Sequence, residues 1–220
     1  MKGDRIPVQV LSMQIIPNLS AGLAKELGID SRWRAIGLIS TDCDDATYLA
    51  LDEATKAANV EVIYARSLYA GASNASTRLA GEVIGILAGP TPDEVESALD
   101  TAARWISESG GFYSANDTDD IVYLAHCVSG SGSYLAGTAG IHVGQALAYL
   151  VAPPVEAMVG LDAALKASDV ELKVYFAPPT ETNFSGGLLT GTQSACEAAC
   201  EAFARAVEAI AAAPIRLGGI

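Results

Sequence analysis

The densest run of chemically capable side chains is TDCDDAT, residues 41 to 47, which sets Asp42, Asp44 and Asp45 just before an expected helix. One aspartate there can cap the exposed N–H groups of the first turn, so capping does not call for three. A carboxylate in a narrow channel favours an ammonium group and disfavours anions. Glu82, which opens a strand of the same half, can supply another. His126 and Cys127 are adjacent and suggest a nucleophile beside its base, but neighbours in a strand point to opposite faces and do not readily pair. His142 follows a Gly-Ile turn and reads as a surface residue. Cys196 and Cys200 share a helix face with no histidine or further cysteine nearby to complete a metal shell, and read as core. SGSGSY, residues 129 to 134, has no lysine after it and reads as a turn between strand and helix, not a phosphate cradle.

Composition narrows the classes further. With 220 residues, half of them apolar, the chain can bury a large core as one large domain or two ordinary ones. A formal charge of −13, from 13 basic against 26 acidic residues, argues against nucleic acid and fits neutral or cationic small molecules. No apolar run reaches the roughly 20 residues of a membrane span, and MKGDRIPVQV lacks the apolar stretch of a secretion signal, so no membrane partner and a cytosolic location are expected. Four cysteines are too sparse for a disulfide framework and read as free thiols. With only two histidines, no base, nucleophile and orienting group stand out as a catalytic set.

The elements that must carry these residues come in two copies. DEATKAANVE, residues 52 to 61, returns as DAALKASDVE, residues 162 to 171, an offset of 110. Further on, Gly89 stands opposite Gly191, an offset of 102, so the first copy holds 8 extra residues within about 67 to 80. That stretch is rich in Gly, Ser and Asn and reads as a loop. Each copy predicts a strand (36 to 41; 147 to 152), a helix (45 to 58; 155 to 168), a strand (60 to 66; 170 to 176), a third strand (81 to 88; 186 to 190) and a longer helix (91 to 107; 192 to 212). Thr91 and Thr192 are the expected caps of the longer helices, with Pro92 in the first turn where its missing N–H costs nothing. A further strand precedes each copy, at 8 to 17 and 121 to 130. The chain is therefore two α+β units of about 110 residues in tandem. Residues 110 to 120, GGFYSANDTDD, read as a second irregular segment, in which flanking glycines would let aromatic rings swing across an opening.

TDCDDATYLALDEATKAANVEVIYARSLYAG, AGEVIGILAGP, GSYLAGTAGI, AYLVAPPVEAM and PPTETNFSGGLLTGTQSAC resemble the ethanolamine-utilisation shell proteins of bacterial microcompartments over nearly the whole chain. The resemblance implies an α+β fold of two tandem, circularly permuted, ferredoxin-like microcompartment domains, residues 1–108 and 109–220. It also implies a homotrimer forming a flat pseudohexagonal tile, in contact with other shell proteins, in a microcompartment shell within the cytoplasm. No enzyme activity, cofactor or metal is implied. The implied ligand is ethanolamine, held in a small channel by Glu82, Phe112 and either Asp44 or Asp45, while Tyr69, Phe112 and Tyr113 match the aromatic residues that gate a central pore. Two other classes are kept: a soluble regulatory protein that senses an amine metabolite, and an enzyme using Cys127 or Cys43, which would need a thiol of lowered pKa.

Overall fold

Short apolar strands and amphipathic helices, one in each half capped by a threonine, give each half of the chain a sheet with helices packed against it. The computed structural model describes residues 1–68, 77, 79–178, 180 and 182–215. The elements, in chain order, are β1 (Arg5–Pro7), β2 (Val10–Ile16), α1 (Ala21–Glu26), β3 (Ala35–Thr41), α2 (Asp44–Ala57), β4 (Glu61–Ser67), β5 (Val83–Gly89) and α3 (Pro92–Glu108). There follow β6 (Gly111–Ser114), β7 (Val122–Val128), α4 (Ser133–Ala139), β8 (Ala146–Ala152), α5 (Pro154–Ala167), β9 (Val170–Phe176), β10 (Ser185–Gly191) and α6 (Gln193–Ala212).

The chain divides into two compact units whose sequences interleave. Unit 1 comprises Met1–Ile6, Phe112–Ser131 and Thr138–Ile220; unit 2 comprises Pro7–Gly111 and Gly132–Gly137. Unit 2 is built on a four-stranded sheet in the order β2-β3-β5-β4, antiparallel throughout. Unit 1 repeats that order as β7-β8-β10-β9 and extends it at the β7 edge with β6 and then β1. The α+β duplication expected from the repeat is thus present strand for strand.

Each sheet buries one face under its two long helices. In unit 2, Ala50, Leu51 and Ala54 of α2 meet Val95, Leu99, Ala102 and Ile106 of α3 over Ile39 and Leu87. In unit 1, Ala157, Leu161 and Ala164 of α5 and Cys196, Ala199, Phe203 and Val207 of α6 cover Ala148, Leu150 and Leu189. The two cysteines of α6 therefore lie on its buried face, as their spacing predicts. Both threonine caps form: Thr91 accepts from the Glu94 amide at 3.3 Å and Thr192 from the Ala195 amide at 3.2 Å.

One expectation changes. Residues 111–114 form the strand β6, paired through Tyr113 with Tyr123 and Ser114 with Val122, where an irregular loop was expected from the glycines. Gly110 and Gly111 instead let the chain leave α3: Gly111 has φ 148°, and a Cβ on Gly110 would lie 2.8 Å from the backbone of Ile106.

Candidate functional site

The acidic residues converge where β3 runs into α2 in unit 2. Thr41, fully buried at the end of β3, ties the junction: its hydroxyl donates to the Cys43 carbonyl at 2.8 Å, accepts from the Cys43 amide at 3.1 Å and lies 2.6 Å from the Thr47 hydroxyl. Cys43 caps α2 without a side-chain hydrogen bond, so the aspartates are not used as its N-cap. Asp42 accepts the backbone amide of Gln9 at 2.8 Å, which fixes the carboxylate against the start of β2.

Asp44 and Asp45 occupy the first turn of α2, where the helix dipole favours negative charge, and both are buried. Asp44 accepts the Asp45 amide at 2.8 Å through one oxygen and the Ser67 hydroxyl through the other. The Ser67 oxygen in turn lies 3.0 Å from the Tyr48 hydroxyl, which makes a short polar chain from α2 to the end of β4.

Glu82 is brought to the same place by its backbone. Its amide donates to the Thr41 carbonyl at 2.8 Å, and the preceding residue must be glycine, because a Cβ on Gly81 would stand 2.0 Å from that carbonyl oxygen. Partial burial, with Asp44 and Asp42 nearby as further negative charge, pushes the Glu82 carboxyl up from 4.5 to about 7. Such a group holds its proton about half of the time near neutrality and ionises readily when a cation arrives. Burial, with Asp45 close by, likewise pushes the Cys43 thiol well up.

Of the residues expected to act together, Asp44, Asp45 and Glu82 meet in unit 2, joined by Asp42. Phe112 belongs to unit 1, where it is buried with its ring 5.1 Å from that of Phe184. Tyr113, also in unit 1, is half-buried with its ring 6.1 Å from that of Tyr123. Tyr69 lies outside the described residues. Three contributors were missed in the sequence. Tyr48, one helical turn after Asp44, carried a readable signal in that spacing. Ser67 and Thr41 sit at strand ends, and nothing in their neighbours marks them.

The other chemically capable groups fall elsewhere. His126 and Cys127 follow one another along β7 and pair across to Tyr149 and Ala148 respectively, as the strand alternation predicts. Burial pushes the Cys127 thiol up to about 11 and raises Cys196 and Cys200 as well. A thiolate nucleophile needs the opposite shift. In the Ser129 to Tyr134 turn, the Gly132 amide is taken by the carboxylate of Asp52 at 2.7 Å. Among the described residues no three His, Cys, Asp or Glu side chains gather as a metal-binding group, and no helix is long and apolar enough to cross a membrane.

Comparison with known proteins gives a consistent picture. Residues 35–117 match the family model of the BMC domain. The chain is 63% identical to the bacterial microcompartment shell protein EutL of Clostridium perfringens (strain 13 / Type A) over 215 residues, covering 98% of this chain and 99% of that one. It is 52% identical to EutL of Escherichia coli (strain K12), covering 97% of each. The crystal structure of the ethanolamine utilization protein EutL from Leptotrichia buccalis C-1013-b superposes with a TM-score of 0.96 at 58% identity, over 99% of this chain and all of that one.

Proposed function

The chain belongs to the EutL family of bacterial microcompartment shell proteins and serves as a structural component of that shell, and from this premise we propose that it forms a trimeric, pseudohexagonal tile that admits metabolites selectively. In this tile residues 1–108 and 109–220 are the two copies of the domain, so three chains present six. The tile lies against other shell proteins, and ethanolamine is the small molecule bound in a channel at the acidic junction of β3, α2 and β5.

The observation that carries the ethanolamine site is the set of carboxylates around Glu82. Asp44 and Asp45 are buried, and Glu82 is held protonated up to about pH 7 by burial and by the charges of Asp44 and Asp42. A primary ammonium ion entering there relieves that repulsion, donates up to three hydrogen bonds and displaces the Glu82 proton. Ser67 and Tyr48 supply hydroxyls of the kind that an amino alcohol needs beside its ammonium group. An anion gains nothing from these groups. Phe112 is the apolar contributor in this assignment, and either Asp44 or Asp45 faces the amine.

The pore gate is assigned to Tyr69, Phe112 and Tyr113. Motion of the last two must break the ring contacts to Phe184 and Tyr123, so opening is coupled to packing in unit 1. Ethanolamine shifts such a gate only if it binds one arrangement more tightly than the other. No catalysis is assigned: the thiols are all shifted away from the thiolate form.

Calorimetric titration with ethanolamine tests the site. Asp44→Asn combined with Asp45→Asn is expected to weaken binding by at least tenfold, while the folded chain survives because an asparagine oxygen can still accept the backbone amide of residue 45 that Asp44 accepts. Unchanged affinity removes the acidic site from the proposal.

A further inference from the structure

The sheet face turned away from the long helices is finished differently in the two units. In unit 2, Ile36, Ile86 and Ala88 form a second apolar cluster there, with Ile29, Trp33 and Ile63 packed on it. Trp33 closes that cluster. Its indole N–H donates to Glu61 at 3.0 Å, and the Arg32 guanidinium, 4.4 Å over the ring, donates to the same carboxylate oxygen at 3.1 Å.

Strand register identifies the same positions in unit 1. Glu61 stands opposite Ala88 as Glu171 stands opposite Thr190, and Ile63 and Lys173 are the residues skipped where the registers of β4 and β9 shift. Ala35 pairs with Gly89 as Ala146 pairs with Gly191. The loop leading into these strands reads GIDSRWRA over residues 28 to 35 but GIHVGQA over 140 to 146, one residue shorter and without the tryptophan. Where unit 2 is filled, unit 1 keeps a cavity of about 270 Å³ lined by Ile141, His142, Gln145, Glu171, Lys173 and Thr190. Its wall is fixed by the chain itself. The Gly144 amide donates to the Ser131 carbonyl at 2.8 Å, the Ser131 amide to the Gln145 carbonyl at 2.9 Å, and the His142 amide to the Gln145 side-chain oxygen at 2.8 Å.

The exchange runs in one direction. Lys173 replaces Ile63, Thr190 replaces Ala88 and His142 replaces Asp30, so an apolar floor becomes one that forms hydrogen bonds. Unit 2 builds the same strands without those groups, and an emptied site forfeits the packing that Trp33 supplies there. A preformed cavity with a few convergent polar groups is the ordinary form of a small-molecule site. Glu61 shows what the carboxylate at this position takes, namely two N–H donors on one oxygen. Glu171 meets the Lys173 ammonium at 2.8 Å and is 70% exposed, so it is free to turn toward donors on an occupant, while Lys173 is 26% exposed. A simple anion entering here meets Glu171 and a chain of net charge −13, and a simple cation meets Lys173. A molecule bearing both charges satisfies both side chains.

We propose that this cavity of unit 1 binds a small zwitterion, an α-amino acid, with its ammonium group on Glu171 and its carboxylate on Lys173. The two side chains exchange their bond to each other for bonds to the occupant. Thr190 spends its hydroxyl hydrogen on the Ala146 carbonyl at 2.9 Å and so offers its oxygen to the ammonium group. Gln145 spends its oxygen on the His142 amide and so offers its NH2 to the carboxylate. Ile141 supplies apolar contact for the occupant's side chain. The site lies wholly in unit 1 and depends on no part of the ethanolamine reading, which concerns unit 2.

Histidine NMR of the full chain tests this directly, because His126 and His142 are its only two histidines and His142 lines the cavity. Titration with L-leucine should move the His142 signals saturably and leave those of His126 in place. The apparent Kd should be at least tenfold lower than for acetate, which lacks the ammonium group, or for ethanolamine, which lacks the carboxylate. Lys173→Ile, which installs the residue that unit 2 carries at this position, should remove the response, and Glu171→Gln should weaken it at least tenfold, each with thermal unfolding as in the wild type. A His142 signal that stays still up to the solubility limit of L-leucine overturns the proposal. So does an equal response to acetate, which marks an anion site only, an equal response to ethanolamine, which marks a cation site only, or a response to L-leucine that survives in both variants.

Discussion

Corresponding places in the two units hold opposite chemistry. Where unit 2 gathers Asp42, Asp44, Asp45 and Glu82, unit 1 has Ala152, Pro154, Val155 and Phe184. The backbone is indifferent to the exchange: α2 and α5 each run 14 residues, β5 and β10 each run 7, and neither α2 nor α5 has a side-chain cap. The acids are therefore not demanded by the fold, and the raised Glu82 carboxyl, lifted first by burial and then by the charges of Asp44 and Asp42, shows that its ionisation works against it. A cost borne by one copy and absent from its twin marks a site kept for use. The cores differ in the same instructive way without any functional overtone. Phe203 stands 11 residues after its cap Thr192 and lies on Gly160; Ala102 stands 11 after Thr91, and Ala50 takes the place of Gly160.

The largest expected effect probes that core exchange. Phe203→Ala should cost about 3–5 kcal/mol in chemical denaturation, the range for emptying a buried aromatic site. Gly160→Ala alone should cost about 1–3 kcal/mol, since its new methyl would lie 2.6 Å from the Phe203 ring. Added to Phe203→Ala, the same change should be neutral or stabilising, because the pair then matches Ala50 and Ala102. Equal damage in both backgrounds would mean that the two cores are not interchangeable solutions.

Next in size is the pair Asp52 and Asp162, the same residue in the two copies. Asp52→Ala strands the Gly132 and Leu135 amides and should cost about 2–4 kcal/mol in thermal unfolding. Asp162, exposed and paired with Lys166 on its own helix among the described residues, should tolerate alanine within about 0.5 kcal/mol.

The smallest effect is one of pH. Glu82 binds its proton more tightly folded, at about 7, than at its ordinary 4.5, so its ionisation opposes folding. The penalty is absent below about pH 4.5, grows as pH rises through the interval and is complete above about 7. Glu82→Gln should leave Tm unchanged at pH 4 and raise it progressively relative to wild type between pH 5 and pH 8. A constant difference across that range would deny that the carboxyl is perturbed.

Much of this architecture was legible because the strands are short apolar runs bounded by turn residues and the long helices announce their starts. Thr91 and Thr192 predicted both caps, and the strands of the repeat fell within about two residues of their expected ends. The three-residue β1 and the four-residue β6 were not, since so short a strand exists only through its partner and leaves no period to read. Asp52 is the sharpest lesson. Its repeat partner Asp162 has the same helix and nearly the same neighbours, and only the distant Gly132 and Leu135 amides make one buried and the other exposed. At the acidic junction the aspartates were visible as a cluster, while their tie to Ser67 depends on where β4 ends.

The interleaving of the two units bears on how such a gene can evolve. The strand Arg5–Pro7 edges a sheet otherwise assembled from residues beyond 110, with Met1 anchored through its ammonium group to Asp4 and Asp119, while Gly132–Gly137 closes over a helix encoded some 80 positions earlier. A cut between residues 108 and 109 would leave one fragment without its border strand and the other without its cover. Neither half is a closed package of heredity: once fused in this order, the duplicated copies can drift apart in surface chemistry, but they can no longer be lost, traded or returned to independence one at a time.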